Sequence, residues 1–191
     1  MLNIKIIDYF FKQAEIGNWE EIELIDAEKR LRLKKNTLVN LFKDKIYFLY
    51  HFDRYIDDKV IKSVSDEDIS SNNSEDIIQE YMMNKLDFMN SYKLGISNII
   101  NFYLNNPKFY LISLKSTKVT AQGYLSQFNY SNNKISKSLF EKAILVLFLV
   151  AFKKWLYENK INDGSFALID KGIKKIKTST SFFEFLKYKK K

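Results

Sequence analysis

The sequence predicts an all-α fold of about nine helices. Three observations carry this. Apolar residues recur at i, i+3, i+4 and i+7 through most of the 191 residues, the period of a helix with one buried face. The chain holds one proline and five glycines, too few for the turns of a loop-rich all-β fold. Hydrophobic residues make up 46% of it and aromatics 16%, which suits a sizeable core in one domain, or in a small module fused to a larger one.

Each helix has its own signal. Over 2–16, Ile4, Ile7, Phe10, Phe11 and Ala14 form one stripe, and Gly17-Asn18 ends it, because glycine readily takes the left-handed C-cap geometry. A second helix is expected over 23–31. Lys34-Lys35-Asn36-Thr37 reads as a tight turn into a short helix carrying Leu38, Leu41 and Phe42. Asp44 caps a long helix through Ile46, Leu49, Phe52, Ile56 and Val60. The polar, aperiodic stretch 63–74 is a loop and separates an N-terminal module from the rest.

Ser74 reads as the next N-cap, with Glu75 and Asp76 in the first turn. That helix carries Ile77, Ile78, Tyr81, Met82, Leu86 and Met89, and another runs through Leu94, Ile96, Ile99, Ile100 and Tyr103. Pro107 opens a helix through Phe109, Leu111, Leu114 and Val119, since its missing N–H is not needed there. Residues 123–133 form a polar break. The strongest element spans 135–157 and is apolar on nearly all sides in its middle. Such a helix is buried all round, either as a central helix or by also meeting a partner subunit. After a break at 159–164, Phe166, Leu168, Ile169, Ile173 and Ile176 make a last amphipathic helix.

Composition also excludes chemistry. With no cysteine there are no disulfides, thiolate metal sites or cysteine nucleophiles. A single histidine argues against a His-based zinc site or a catalytic triad. The longest apolar run, 143–152, is half a membrane span, and the N-terminus lacks a signal-peptide core. A cytoplasmic protein without cofactor, metal or enzymatic activity is expected.

The net charge of +8 is unevenly placed. Residues 1–28 hold two lysines against seven acids, a net −5. Residues 29–45 hold seven bases against Asp44, a net +6, and 171–191 hold eight against Glu184, a net +7. Residues 46–170 balance. Basic blocks of this density suit a phosphate backbone or anionic headgroups.

The first basic block has a motif. The segment 22–45, IELIDAEKRLRLKKNTLVNLFKDK, reads as a helix-turn-helix. Ile25, Leu31, Leu33, Leu38 and Phe42 would face inward, and Lys34, Lys35, Asn36, Thr37, Asn40 and Lys43 outward. A short helix presenting amides and cations can read base edges and hold phosphates.

The layout resembles the tetracycline-repressor (TetR) family of bacterial regulators. The first helix, the Gly17–Trp19 hinge and NTLVNLFKDK parallel that family's usual GTLYHYFKSK. The resemblance covers the chain in layout and about 4–60 in motif. It implies a DNA-binding head over 1–45, a ligand-binding and dimerisation body over 46–177, and a basic aromatic tail over 178–191. Double-stranded DNA, a second copy of the chain and a small hydrophobic ligand are the implied partners. Thr37 and Lys45 match positions that commonly touch phosphates, Lys35 matches a groove-facing position, and Asn40 stands at the usual His. Three positions depart: Val39 replaces the usual Tyr, Leu41 an aromatic, and Arg32 the turn glycine.

These departures bring in a second resemblance, to the TetR-fold lipid-binding accessory family of ubiquinone biosynthesis, which does not bind DNA. Trp155-Leu156-Tyr157-Glu158 and 166–173 look similar to its C-terminal helix pair. Under that alternative the tail, with Phe182, Phe183, Phe185 and Tyr188 before its lysines, would meet a membrane surface. Docking on its own body is the plainer expectation.

Tyr81, Met82, Phe88, Tyr103, Phe109 and Phe148 are candidates to line a ligand pocket, with a plain core as the competing reading. Leu145, Phe148, Phe152, Leu168 and Ile169 are the candidate dimer contacts. His51 reads as a packed or surface histidine, and Asp57-Asp58 as a solvated pair.

Overall fold

A computed structural model describes residues 2–63, 74–125, 134–158 and 162–188. The fold is all-α, with no strand among the described residues. The helices are α1 (Ile4–Glu15), α2 (Leu24–Arg30), α3 (Thr37–Phe42), α4 (Phe48–Ser63), α5 (Ser74–Met89), α6 (Lys93–Phe102), α7 (Pro107–Leu125), α8 (Lys134–Tyr157) and α9 (Asp163–Tyr188). Single 3-10 turns, Lys45–Tyr47 and Asn90–Tyr92, lead into α4 and α6. The loop expected over 63–74 lies, from residue 64 to 73, outside the described residues. So do 126–133 and 159–161 of the two later breaks, and the last three lysines.

The chain forms two compact units. One joins Met1–Asp58 to Ser91–Ser116, and the other joins Lys59–Asn90 to Thr117–Lys191. The helix-turn-helix segment therefore shares its unit with α6 and the start of α7.

The first unit is built on rings. Asn3 caps α1 by accepting from the Ile6 N–H at 3.2 Å. The helix ends in a Schellman motif: Asn18 N–H donates to the Gln13 carbonyl, Gly17 N–H to that of Ala14, and Gly17 takes φ +84°. The apolar stripe of α1 is then buried against aromatic partners. Phe10 stacks on Phe48 at 4.8 Å and meets Phe42 edge-on at 5.5 Å. Phe11 meets Phe52 at 4.6 Å and stacks on Tyr92 at 4.8 Å. Each such pair contributes about 0.5–1.5 kcal/mol beyond the area it buries.

Gly95 lets α6 approach α1, since a Cβ there would lie 2.7 Å from the Phe11 ring. At the edge of this contact the Tyr92 hydroxyl donates to Asp8 at 3.0 Å, and the Asn98 amide donates to the Ala14 carbonyl at 3.0 Å. Burial, with help from the Asp8 charge, pushes the Tyr92 hydroxyl up to about 12.

In the second unit α8 buries one face only. Phe140, Ile144, Leu147, Ala151 and Trp155 recur at helical spacing and are buried. The Trp155 indole donates to Asn90 at 2.7 Å, and Lys85, itself buried, holds its ammonium 5.3 Å from the Phe148 ring centre. The opposite face of α8, with Leu139, Val146, Val150 and Tyr157, is exposed. Of the two placements expected for this helix, the central one buried all round is thereby corrected: the unit covers about half its circumference. At Gly172 a Cβ would overlap the Leu147 side chain, so α9 lies close along α8 there. The last helix also runs to Tyr188, past its expected end near 177. Residues 173–188 contain neither glycine nor proline to stop it.

Candidate nucleic-acid interface

The helix-turn-helix is held by a residue that its sequence motif does not mark. Glu28, on α2, is only 3% exposed. One carboxylate oxygen accepts from the Asn36 N–H at 2.9 Å. The other accepts from the N–H groups of Leu38 at 2.6 Å and Val39 at 3.3 Å. A buried charge persists only when it is hydrogen-bonded or paired. Here it takes up the unpaired donors at the start of α3, where the helix dipole also favours a negative charge.

Three non-glycine residues in this segment adopt positive φ: Arg32 (54°), Asn36 (64°) and Lys43 (60°). Arg32 stands where the resembling family carries its turn glycine, and its backbone has the conformation that glycine favours. Asn36 is well suited to that region, and Lys43 is not. Thr37 turns its hydroxyl back to donate to the Lys34 carbonyl at 2.6 Å, which closes the turn before α3.

The inner face is narrower than expected. Leu38 and Phe42 are buried, and Leu31 and Leu33 half-buried. Ile25 is 53% exposed, which corrects its inward placement. The buried residues of α2 are Ala27 and Glu28, and Ala27 lies about 200° round the helix from Ile25. The outer face is polar. Lys34, Lys35, Asn36, Asn40 and Lys43 are all exposed, and Thr37 is half-buried. Asn36, Asn40 and Lys43 follow at i, i+4 and i+7, so the structure brings the expected row together on the side away from Leu38 and Phe42. Val39 and Leu41 are half-buried beside it.

Lys45 is placed differently. Its ammonium donates to the carbonyls of Trp19 at 2.8 Å, Glu20 at 2.5 Å and Ile22 at 3.1 Å. These acceptors use all three of its protons. The charge that the family resemblance assigned to a phosphate here fastens the α1–α2 link to the start of α4. Burial pushes the Lys45 ammonium down, and Asp44, Glu20 and Glu23 pull it the other way. Asp44 caps the next turn as expected, accepting from the Ile46 N–H at 3.0 Å, and pairs with Lys108 at 3.2 Å. Burial works against the Asp44 charge, but the Ile46 N–H and Lys108 together hold its carboxyl below the ordinary value.

The remaining candidates scatter. Tyr103 and Phe109 stack on each other at 5.0 Å in the first unit, and Tyr103 meets Trp19. Tyr81 and Met82 are buried in the second unit, Phe148 stacks on Phe152, and Phe88 is exposed beside Lys59. None of the six lines either of two grooves in the second unit. One, about 400 Å³, lies between α5 and Phe166. The other, about 540 Å³, runs between α8 and α9 and is almost wholly apolar, lined by Val146, Leu147, Val150, Leu168 and Ile176 with Lys142 and Lys175 at its rim.

Of the candidate dimer contacts, Leu145, Phe148, Phe152 and Leu168 are half-buried. Ile169 is fully buried within its own unit, a correction, because it packs inward one turn from Ser165 and Ile173. His51 is half-buried, with its ring 5.4 Å from that of Phe42. Asp57 is buried and Asp58 exposed, so the two carboxylates point apart and only Asp58 is solvated.

Among the described residues no three His, Asp or Glu side chains gather where they could hold a metal ion. No described helix is long and apolar enough to cross a membrane. No protein-family model matches the chain, and neither a curated protein nor a solved structure does.

Proposed function

We propose that this chain is a DNA-binding regulator that reads duplex DNA through the α2–α3 segment and acts as a homodimer. One observation carries the reading. A six-residue helix is anchored from behind by Leu38, Phe42 and the Glu28 carboxylate; Asn40 on it, Lys34, Lys35 and Asn36 in the turn before it and Lys43 at its end are turned to solvent. Amides and cations on and around a short helix suit base edges and phosphates in a major groove.

The dimer reading rests on the open face of α8, where Val146 is 58% exposed beside the apolar α8–α9 groove. A contiguous apolar face of that kind calls for a cover. The second reading is a lipid carrier of the same fold, in which that groove and its two rim lysines take an acyl chain with an anionic head.

The test is fluorescence anisotropy with duplex DNA, including the chain's own upstream region, across a salt series. Lys34→Ala with Lys35→Ala should flatten the slope of log K against log salt by about 1.8, or about 0.9 per lost phosphate contact. An unchanged slope refutes the site, and no duplex binding at low salt refutes the regulator. Light scattering then reads the dimer, which Val146→Glu should split. Native mass spectrometry showing a bound lipid would favour the carrier.

A further inference from the structure

We infer that Glu28 is the positioning residue of the reading helix, so that DNA affinity depends on a side chain that touches no DNA. The inference rests on the regulator reading above. Glu28 is buried on α2, yet its two oxygens bond only to the next helix, at Asn36, Leu38 and Val39.

What it holds cannot hold itself. α3 has six residues, below the length at which a helix persists alone. It is entered through Asn36 and left through Lys43, both at positive φ. Asn36 starts the helix but makes no capping bond with its own side chain. The N-terminal donors that a capping side chain would normally satisfy are taken by Glu28 instead. Leu38 and Phe42 fix how deeply α3 sits, while the carboxylate fixes its start and therefore the direction in which Lys35, Asn36 and Asn40 project.

The test is Glu28→Gln, which keeps size and one acceptor but turns an amide N–H toward backbone N–H groups. Hydrogen exchange and DNA retention are read together, with a random-sequence 30-base-pair duplex at low salt as probe. Exchange at the amides of Asn36, Leu38 and Val39 should quicken by about tenfold or more, the scale of one lost charge-assisted bond. Affinity should fall by about the same factor. Ile56→Val trims a buried side chain of the same unit, about two turns along α4 from Phe48, whose ring meets Phe42. It should lower the melting temperature and leave both readouts unchanged.

Unchanged exchange at the three amides overturns the inference. So does quickened exchange with undiminished binding, or an equal loss of affinity in Ile56→Val. If the wild-type chain retains no duplex, the regulator reading and the role in DNA affinity fall together. The exchange result then decides separately whether Glu28 fixes α3.

Discussion

Replacing Lys45 by Met removes the ammonium and keeps most of the stem. The structure sets the magnitude. Of the three carbonyls that lose a donor, that of Glu20 is exposed and regains water, so its loss costs little. Those of Trp19 and Ile22 are part-buried and lose a charged donor, although the Trp19 carbonyl keeps a long bond from the Ile22 N–H at 3.4 Å. Each costs about 1–1.5 kcal/mol, toward the low end for a charged donor. The contact of the ammonium with the Trp19 ring, at 5.9 Å, adds about 0.5 kcal/mol. The sum is about 2.5–3.5 kcal/mol, or roughly 5–14 °C in melting temperature for a chain of this size. Calorimetry measures it. Lys45→Arg should fail to rescue, because a planar guanidinium cannot converge on three carbonyls as an ammonium does. In the salt series, Lys45→Met should leave the slope unchanged, in contrast to the lysines of the turn. A melting temperature within about 1 °C of wild type refutes the structural role. A slope flattened by about 0.9 would return Lys45 to a phosphate.

Arg32→Gly should raise stability by about 0.5–1 kcal/mol in chemical denaturation, because Arg32 occupies a backbone conformation that costs a side chain energy and glycine nothing. His51 is held below its ordinary value of 6.5 by burial first and by Arg54 next. The unfolded chain therefore takes up the proton first. Its contribution to stability is complete above pH 6.5 and is lost as the pH falls below that value. The imidazole NMR titration should have its midpoint below 6.5, and His51→Phe should flatten the stability profile in that window. Gly95→Ala should destabilise by about 1–3 kcal/mol, because the Phe11 ring and carbonyl crowd the new methyl in a packed core. Gly172→Ala should cost less in the same melts, since the flexible end of Leu147 can swing toward the groove.

Local signals made much of this fold legible. Gly17 and Asp44 act as their residue types predict, because C-caps and N-caps are settled within a few residues. The stripe of α1 was readable for the same reason. Ile25 misled because a seven-residue helix gives too few apolar positions to fix its phase. The central placement of α8 misled because an apolar surface does not say which side its own unit covers. In the candidate site the outward row was legible from polarity alone. Lys45 was not, because three carbonyls brought together from 19–22 leave no trace near residue 45. Glu28 carried one faint signal, an acid at the threshold of a basic block, but its partners lie eight to eleven residues on.

The chain has two tryptophans. Trp19 is buried in the ring core of the first unit and Trp155 in the second. Each unit thus carries its own fluorophore. Emission from Trp19→Phe follows one unit during unfolding, and emission from Trp155→Phe follows the other. If the two curves coincide, the chain melts as one cooperative body and a single unfolding free energy describes it. If they separate, every stability change above belongs to one unit, and the tryptophans say which.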